Sequence, residues 1–501
     1  MKKQVSALLA TALGIAGLGG VPAAAADSGL PSAPTIVCGN ASLLDGPAQA
    51  PQGAITVPAG DNSGFDFRQA GRTYWFATGR HTLGTDVFSQ IKPSDNSTYV
   101  GAPGAVLDGQ NVNRYAFVGE ATGVTVKYLT ITDFGGPESN RDEGVLNHDG
   151  ASHWTVTNNT VQHSGGAGVF IGSDNLVRNN CLKENGQYGF SMYKATKGEL
   201  HDITLDGNEI AGNNTDDWET KLQCGCTGGG KFWDAHTVRV TGNYVHDNKS
   251  VGLWADTNNY DFLFEGNWIE ANDAQAIFYE ISYNAVIRGN VIKGNLRKAG
   301  AERIKEQDNF PDAAIYISES GGDARVPSTM IGAPVLDISD NLIQDNYNGI
   351  ALWENADRFC NSPANSSEGY CTLVNPQATL STCVAGTINT APYLDDCRWK
   401  TQNVRVHDND LRTDPANILP GCFPDYCGHN AILSNWGTYP DWSPYMQDLV
   451  QQNITFNQNN VFTHNHYTGS WRFMARDTGL DLLTPAQWQA APYHQDVDST
   501  F

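Results

Sequence analysis

The pattern apolar-x-x-Asn-x-apolar recurs along most of this 501-residue chain and restricts what it can fold into. It is centred on Asn159 (Val156 to Val161), Asn180 (Val177 to Leu182), Asn208 (Leu205 to Ile210), Asn243 (Val240 to Val245), Asn267 (Phe264 to Ile269) and Asn290 (Ile287 to Ile292). Three later copies centre on Asn341, Asn409 and Asn459. The uninterrupted steps are 21, 24 and 23 residues, and a fixed period of that size marks a solenoid. Two short apolar strands joined by an Asn-bearing bend, once per period, supply one coil of a parallel β-helix. A single coil cannot bury its apolar face, so coils stack on one continuous core. The expected fold class is therefore all-β: a single-stranded parallel β-helix, in which residues one period apart lie on top of each other.

The repeat also divides the chain. Lys2 and Lys3, the apolar run Ala7 to Leu18 and the small residues Ala23 to Ala26 predict a secretory signal over 1–26. Its apolar run is too short for a membrane span, and no other segment is long and apolar enough, so an exported protein with no membrane partner is expected. Residues 27–100 lack the repeat and are expected to cap the N-terminal end, because an open end leaves unpaired strand edges. Coils are expected over 101–465, with inserts at 213–230, 296–312 and 355–402, and a C-terminal tail over 466–501. A long inserted loop is usually functional or disordered. The cysteines in the last insert argue for order.

The formal charge is −23, or about −25 once Lys2 and Lys3 are removed. Such a surface is a poor partner for nucleic acid. Ten cysteines in an exported chain point to disulfides. Short-range pairs Cys360–Cys371, Cys383–Cys397 and Cys422–Cys427 are expected, making the C-terminal insert disulfide-rich. Cys224 and Cys226 are too close together for a zinc knuckle, and no metal site is expected.

Aligning coils on the repeat Asn exposes a second column. About nine residues after Asn159, Asn180, Asn243 and Asn267, a small residue opens an alternating strand: Gly168 to Gly172, Gly189 to Tyr193, Gly252 to Asp256 and Ala276 to Glu280; counting back from Asn243 adds Gly229 to Trp233, and Ala314 to Ser318 and Gly349 to Trp353 are later members. Side chains alternate faces along a strand. The apolar second and fourth positions point inward, as in Leu253/Ala255, Ile277/Tyr279 and Ile315/Ile317. The third and fifth then point outward. They carry Tyr193, Lys231, Trp233, Trp254, Phe278, Tyr316 and Trp353, an aromatic face suited to the C–H faces of sugars, and exposed apolar patches usually mark binding sites. Asp256 and Glu280 each follow their repeat Asn by thirteen residues. Strands about 4.8 Å apart place their Cβ atoms roughly 5 Å apart. Stacked like charges raise one pKa, and a raised acid beside an ionised carboxylate suits glycoside cleavage. A carboxyl gap of about 5–5.5 Å predicts retention and about 6.5–9.5 Å inversion. The alternative reading is a pair of solvated turn acids whose repulsion Lys231 and waters ease.

The repeat as a whole resembles the right-handed parallel β-helix proteins of bacterial secretomes, many of them carbohydrate-active. The run Gly252-Leu253-Trp254-Ala255-Asp256, followed by Ile277-Phe278-Tyr279-Glu280-Ile281-Ser282, is similar to the active-site segment of glycoside hydrolase family 120 β-xylosidases. That resemblance implies Asp256 as nucleophile and Glu280 as acid/base. Thr257 stands where that family commonly has Trp, and Ser282 where it has Asn, so xylose is not carried over. Lys231, Trp233, Trp254, Phe278, Tyr193, Tyr316 and Trp353 are expected around the substrate, and His148 near the same column.

Three functions follow from these residues. One is a retaining hydrolase acting on a carbohydrate without a cofactor. Another is a uronate lyase, with Lys231 as base and Ca²⁺ held by Asp256 and Glu280. The third is a non-catalytic sugar-binding surface protein. A monomer is expected in each case.

Overall fold

The computed structural model describes residues 30–118, 121–135, 144–146, 150–193, 200–222, 227–365, 367, 371–476 and 482–501. His148, Cys224, Cys226 and the expected signal lie outside them.

Bends and strands alternate as the repeat requires. In coil after coil, the residue before the repeat Asn takes a left-handed conformation: Asn158 (φ 59°), Asn179 (51°), Gly207 (63°), Gly242 (61°), Gly266 (65°) and Gly289 (62°). Gly tolerates this region without a Cβ clash, and Asn does so better than most residues. The chain therefore turns at that point and starts a new strand. The repeat Asn that follows is buried and bonds to the same residue of the next coil. Asn267 Oδ1 accepts from the backbone N–H and Nδ2 of Asn243, both at 3.0 Å. Its own Nδ2 donates to Val240 O and Asn290 Oδ1, both at 2.9 Å. A second ladder, which the repeat motif does not announce, runs five residues later through Asn185, Asn213, Asn248, Asn272, Asn295 and Asn346. Buried amides stacked this way satisfy the corner backbone groups that no strand can reach.

Three parallel sheets of 13, 13 and 9 strands result. Successive coils supply neighbouring strands in each sheet, and the pairing between neighbours is parallel throughout, as in Leu253↔Ile277↔Ile315↔Ile350. The inward columns are apolar and buried: Val177, Leu205, Val240, Phe264 and Ile287 in the first sheet, and Leu182, Ile210, Val245, Ile269 and Ile292 in the second. Among the described residues, no helix is long and apolar enough to cross a membrane.

The solenoid is longer than the repeat motif indicates. Ile55–Val57, Thr73–Phe76 and Thr98–Gly101 already belong to the first sheet, so coils occupy much of 27–100. These early coils lack the ladder Asn and stack aromatics instead, with the Tyr74 and Tyr99 rings 5.2 Å apart. At the other end the ladder closes on Asn465, not Asn459. Asn465 Oδ1 accepts from Asn409 N at 3.1 Å, whereas Asn459 (φ 54°) is a bend residue before the strand Val461–Thr463. The strands His466–Gly469 and Arg472–Arg476 complete a last coil inside the expected tail.

The three expected short-range disulfides are present. A fourth, Cys38–Cys181, ties the N-terminal segment to the flank of the solenoid. Glu209 Oε2 reinforces it by accepting from the backbone N–H of Val37 and Cys38 at 2.7 and 2.8 Å. The insert at 296–312 contains the helix Arg297–Glu306. The insert at 355–402 packs Phe359 and Cys383 into a small separate core that it shares with Tyr445 and Val450 of the later chain.

Candidate active site

Third-sheet strands Gly228–Trp233, Val251–Asp256, Ile277–Glu280, Ile315–Ser318 and Ile350–Glu354 lie side by side. Their register aligns Lys231, Trp254, Phe278, Tyr316 and Ala351 in one column, and Trp233, Asp256, Glu280, Ser318 and Trp353 in the next. Asp256 and Glu280 are direct cross-strand partners. A one-residue slip would turn one carboxylate into the core. A hydrogen-bonded ladder just past the strand ends resists that slip. Asn259 Oδ1 accepts from Ala235 N (3.1 Å), Ser282 Oγ from Asn259 N (3.2 Å) and Ser320 Oγ from Ser282 N (2.9 Å).

The two carboxylates sit in different environments. Asp256 Oδ2 pairs with Lys231 Nζ at 2.9 Å, and its Oδ1 accepts from Thr257 Oγ1 at 2.8 Å. The Lys231 ammonium also lies over the Trp254 ring, 4.0 Å from its centroid, and 5.1 Å from that of Trp233. Glu280 is buried, 7% exposed. Its Oε1 accepts from Arg358 Nη1 at 2.5 Å and its Oε2 from Trp254 Nε1 at 3.1 Å. Burial lifts the Glu280 pKa to about 7. Asp256 and Glu319 add to the rise, and the Arg358 guanidinium opposes it.

Arg358 and Glu319 were not legible in the repeat. Glu319 is fully buried one residue past the Asp256/Glu280 column. It accepts from Arg358 Nη1 at 3.2 Å, Ser318 Oγ at 2.5 Å and Asn355 N at 2.6 Å. Arg358 stands at the base of the 355–402 insert, outside any repeat. The available signal was position: Glu319 directly follows Ser318, the column's member one coil after Glu280, and an insert rooted there brings in the opposing cation.

The aromatic face is less open than its sequence suggests. Trp254 and Phe278 stack with rings 5.2 Å apart and 8° between planes. Tyr193 meets Trp233 edge-on at 5.3 Å, and Trp233 Nε1 finds no acceptor among the described residues. Tyr316 and Trp353, expected to contact substrate, instead pack into an apolar cluster with Ala351, Leu433 and Met474. Phe310 of the 296–312 insert covers them, 6.4 and 5.0 Å from their rings. They form a wall beside the carboxylates, because the insert folds over the later coils.

Among the described residues, one group suited to hold a metal is Asp174, His201 and Asp202, and it includes neither site carboxylate. A hollow of about 770 Å³ lined by Asp133, His163, Glu184, Asp216 and Lys249 also lies apart from the carboxylate pair. The site is defined by its charge arrangement, not by this hollow.

Residues 143–329 match the family model described as the right handed beta helix region. The fold is a right-handed parallel β-helix. No curated protein matches the chain. Similar solved structures include the A-modules of two mannuronan C-5 epimerases of Azotobacter vinelandii, AlgE4 and AlgE6. Each is 12% identical; they cover 85% and 89% of this chain and 87% and 89% of their own, with TM-scores of 0.41 and 0.43. XylC in complex with xylose is 14% identical over 60% of this chain and 52% of its own, with a TM-score of 0.34. At these identities the likeness concerns the fold alone.

Proposed function

We propose that this protein is an exported glycoside hydrolase that cleaves a neutral carbohydrate with retention of configuration. The observation supporting this reading is the register-paired Asp256 and Glu280 in unlike surroundings. Asp256 is held by a cation and a hydroxyl, as an anionic nucleophile requires. Glu280 keeps its proton up to about pH 7, as a general acid requires.

In the first step, an Asp256 oxygen attacks the anomeric carbon while Glu280 gives its proton to the departing glycosidic oxygen. The C–O bond breaks and a glycosyl ester forms on Asp256. Glu280, now ionised, then takes a proton from water as that water attacks the same carbon. The ester bond breaks, Asp256 is released as carboxylate and Glu280 is again protonated. Arg358 and Trp254 orient Glu280 through both steps. Lys231 Nζ is held by Asp256 in a salt bridge, a partner it would have to leave to act as a lyase base. A Ca²⁺ bound by the two carboxylates would have to displace Lys231 and Arg358. With Glu280 protonated, Lys231 and Arg358 balance Asp256 and Glu319, which suits a neutral sugar.

A polysaccharide panel tests the reading. New reducing ends without absorbance from unsaturated uronates, insensitive to chelator and absent in Asp256→Asn, are expected. Chelator-sensitive unsaturated products would replace this reading with a lyase.

A further inference from the structure

The loop 435–447 follows the third-sheet strand His429–Ser434 and sends its aromatics in two directions. Tyr445 is buried and Trp442 half-buried, both packed edge-on against Phe359, with ring centroids 5.2 and 5.5 Å away. Trp436 and Tyr439 face outward, 51% and 47% exposed. Nothing in the core requires these two rings, which stand three residues apart on one rigidly held loop, and exposed apolar surface of this kind marks binding sites.

The support is rigid and joins the candidate active site. Gly437 pairs with Gln447 in an antiparallel bridge, its N–H bonding Gln447 O at 3.0 Å and its C=O accepting from Gln447 N at 2.7 Å. A Cβ at Gly437 would lie 2.2 Å from Tyr445 O, so only glycine closes this loop. Asp357 Oδ1 accepts from the backbone N–H of Thr438 and Tyr439 at 2.8 and 2.9 Å. Asn435 Nδ2 donates to Asn355 Oδ1 at 3.0 Å and to Asp357 Oδ2 at 3.2 Å, and Asn435 Oδ1 accepts from Ala356 N at 2.6 Å. The next residue, Arg358, reaches Glu280. The register Glu280↔Ser318, Ser318↔Trp353, Trp353↔Leu433 places this loop three strands along the solenoid from Glu280, about 14 Å at strand spacing. That span matches a few sugar rings.

We infer that Trp436 and Tyr439 form a carbohydrate-stacking platform that holds the remote part of a polymeric or oligomeric substrate while one linkage sits at Asp256 and Glu280. The inference rests on the proposed hydrolase reading for its choice of ligand. A flat apolar ring offers a sugar chain its C–H faces without demanding charge, consistent with the neutral site. Asp357 holds the backbone of the platform to the same turn from which Arg358 reaches Glu280.

The test is affinity electrophoresis of the intact protein carrying Glu280→Gln, which separates binding from turnover. The gels contain arabinoxylan, glucomannan, mixed-linkage β-glucan or polygalacturonate. Retardation is expected in at least one of the three neutral polymers. Trp436→Ala and Tyr439→Ala should each raise the dissociation constant at least tenfold at unchanged melting temperature. Phe423→Ala, which removes an exposed ring elsewhere, should leave it unaltered. Equal retardation of Trp436→Ala and Tyr439→Ala, or no retardation by any neutral polymer, overturns the platform. Platform-dependent retardation in a protein whose Asp256→Asn variant still cleaves would instead sink the catalytic assignment and leave the platform standing.

Discussion

Arg358 Nη1 lies 2.5 Å from Glu280 Oε1, so a guanidinium from the long insert caps a carboxyl group set by the solenoid repeat. The same guanidinium reaches Glu319 one coil further on, at 3.2 Å. The cation therefore stabilises the ionised form of Glu280 while burial and two nearby carboxylates oppose ionisation.

The pH dependence of activity follows from that balance. Activity needs a protonated Glu280, so kcat/KM should fall as pH rises through about 7. Arg358→Met removes the charge that lowers the Glu280 pKa, and the alkaline limb should move to higher pH. In Asp256→Asn, which removes a charge that raises it, the Glu280 carboxyl should titrate at lower pH. Carboxyl ¹³C NMR of the Glu-labelled variants reads both shifts. Movement in the opposite directions would contradict the assigned causes.

Stability carries the same signature. The native state binds the Glu280 proton more tightly than the unfolded chain, whose glutamate titrates near 4.5. The stabilisation is complete below about pH 4.5 and lost as pH rises to about 7, a swing of at most roughly 3 kcal/mol. Glu280→Gln should therefore gain stability over the parent between pH 5 and pH 8, measured by urea denaturation at each pH. A gain that runs the other way would remove Glu280 as the shifted group.

Leaving-group dependence separates the two carboxylates. Glu280→Gln should lose about 10²–10⁴-fold in kcat/KM for natural linkages but little in kcat/KM for 2,4-dinitrophenyl glycosides, whose departure needs no protonation. Asp256→Asn should lose activity on both. Equal losses for Glu280→Gln on both substrate types would argue against proton donation.

The ladder amides bear on stability more than on chemistry. Asn267→Ala removes four hydrogen bonds in the core and leaves Asn243 and Asn290 partly unpaired. A cost of about 2–4 kcal/mol is expected at constant pH, read as a lower denaturant midpoint. Separately, Cys38–Cys181 spans 143 residues, and Cys38→Ser with Cys181→Ser should cost up to about 5 kcal/mol by loop entropy.

Much of this was legible in the sequence. The repeat Asn set the coil period, and counting thirteen residues from Asn243 and Asn267 placed Asp256 beside Glu280. The three cysteine pairs of the C-terminal third match the shortest-range pairing, one of several that the spacing allows. Lys231 was visible as a cation in the outward column, though not its choice of Asp256. The early coils were hidden because Ala102 and Leu129, three residues after the inward Tyr99 and Val126, stand where Val156 is followed by the ladder residue Asn159. Asn459 mimicked a ladder residue because bend and ladder positions both favour Asn. Arg358 was invisible because an insert obeys no period. Tyr316 and Trp353 were misread as open rings for the same reason: pattern reports which way a side chain points, and Phe310, which covers them, comes from another insert.

The nucleophile itself can be trapped. Incubation with 2,4-dinitrophenyl 2-deoxy-2-fluoro glycosides of xylose, arabinose, glucose and fucose, followed by peptide mass spectrometry, reads the site of attachment. One fluorosugar ester on Asp256, lost in Asp256→Asn and formed in Glu280→Gln, is the predicted result. Attachment at another carboxylate, or turnover of the natural substrate with inversion at the anomeric carbon, would contradict the account.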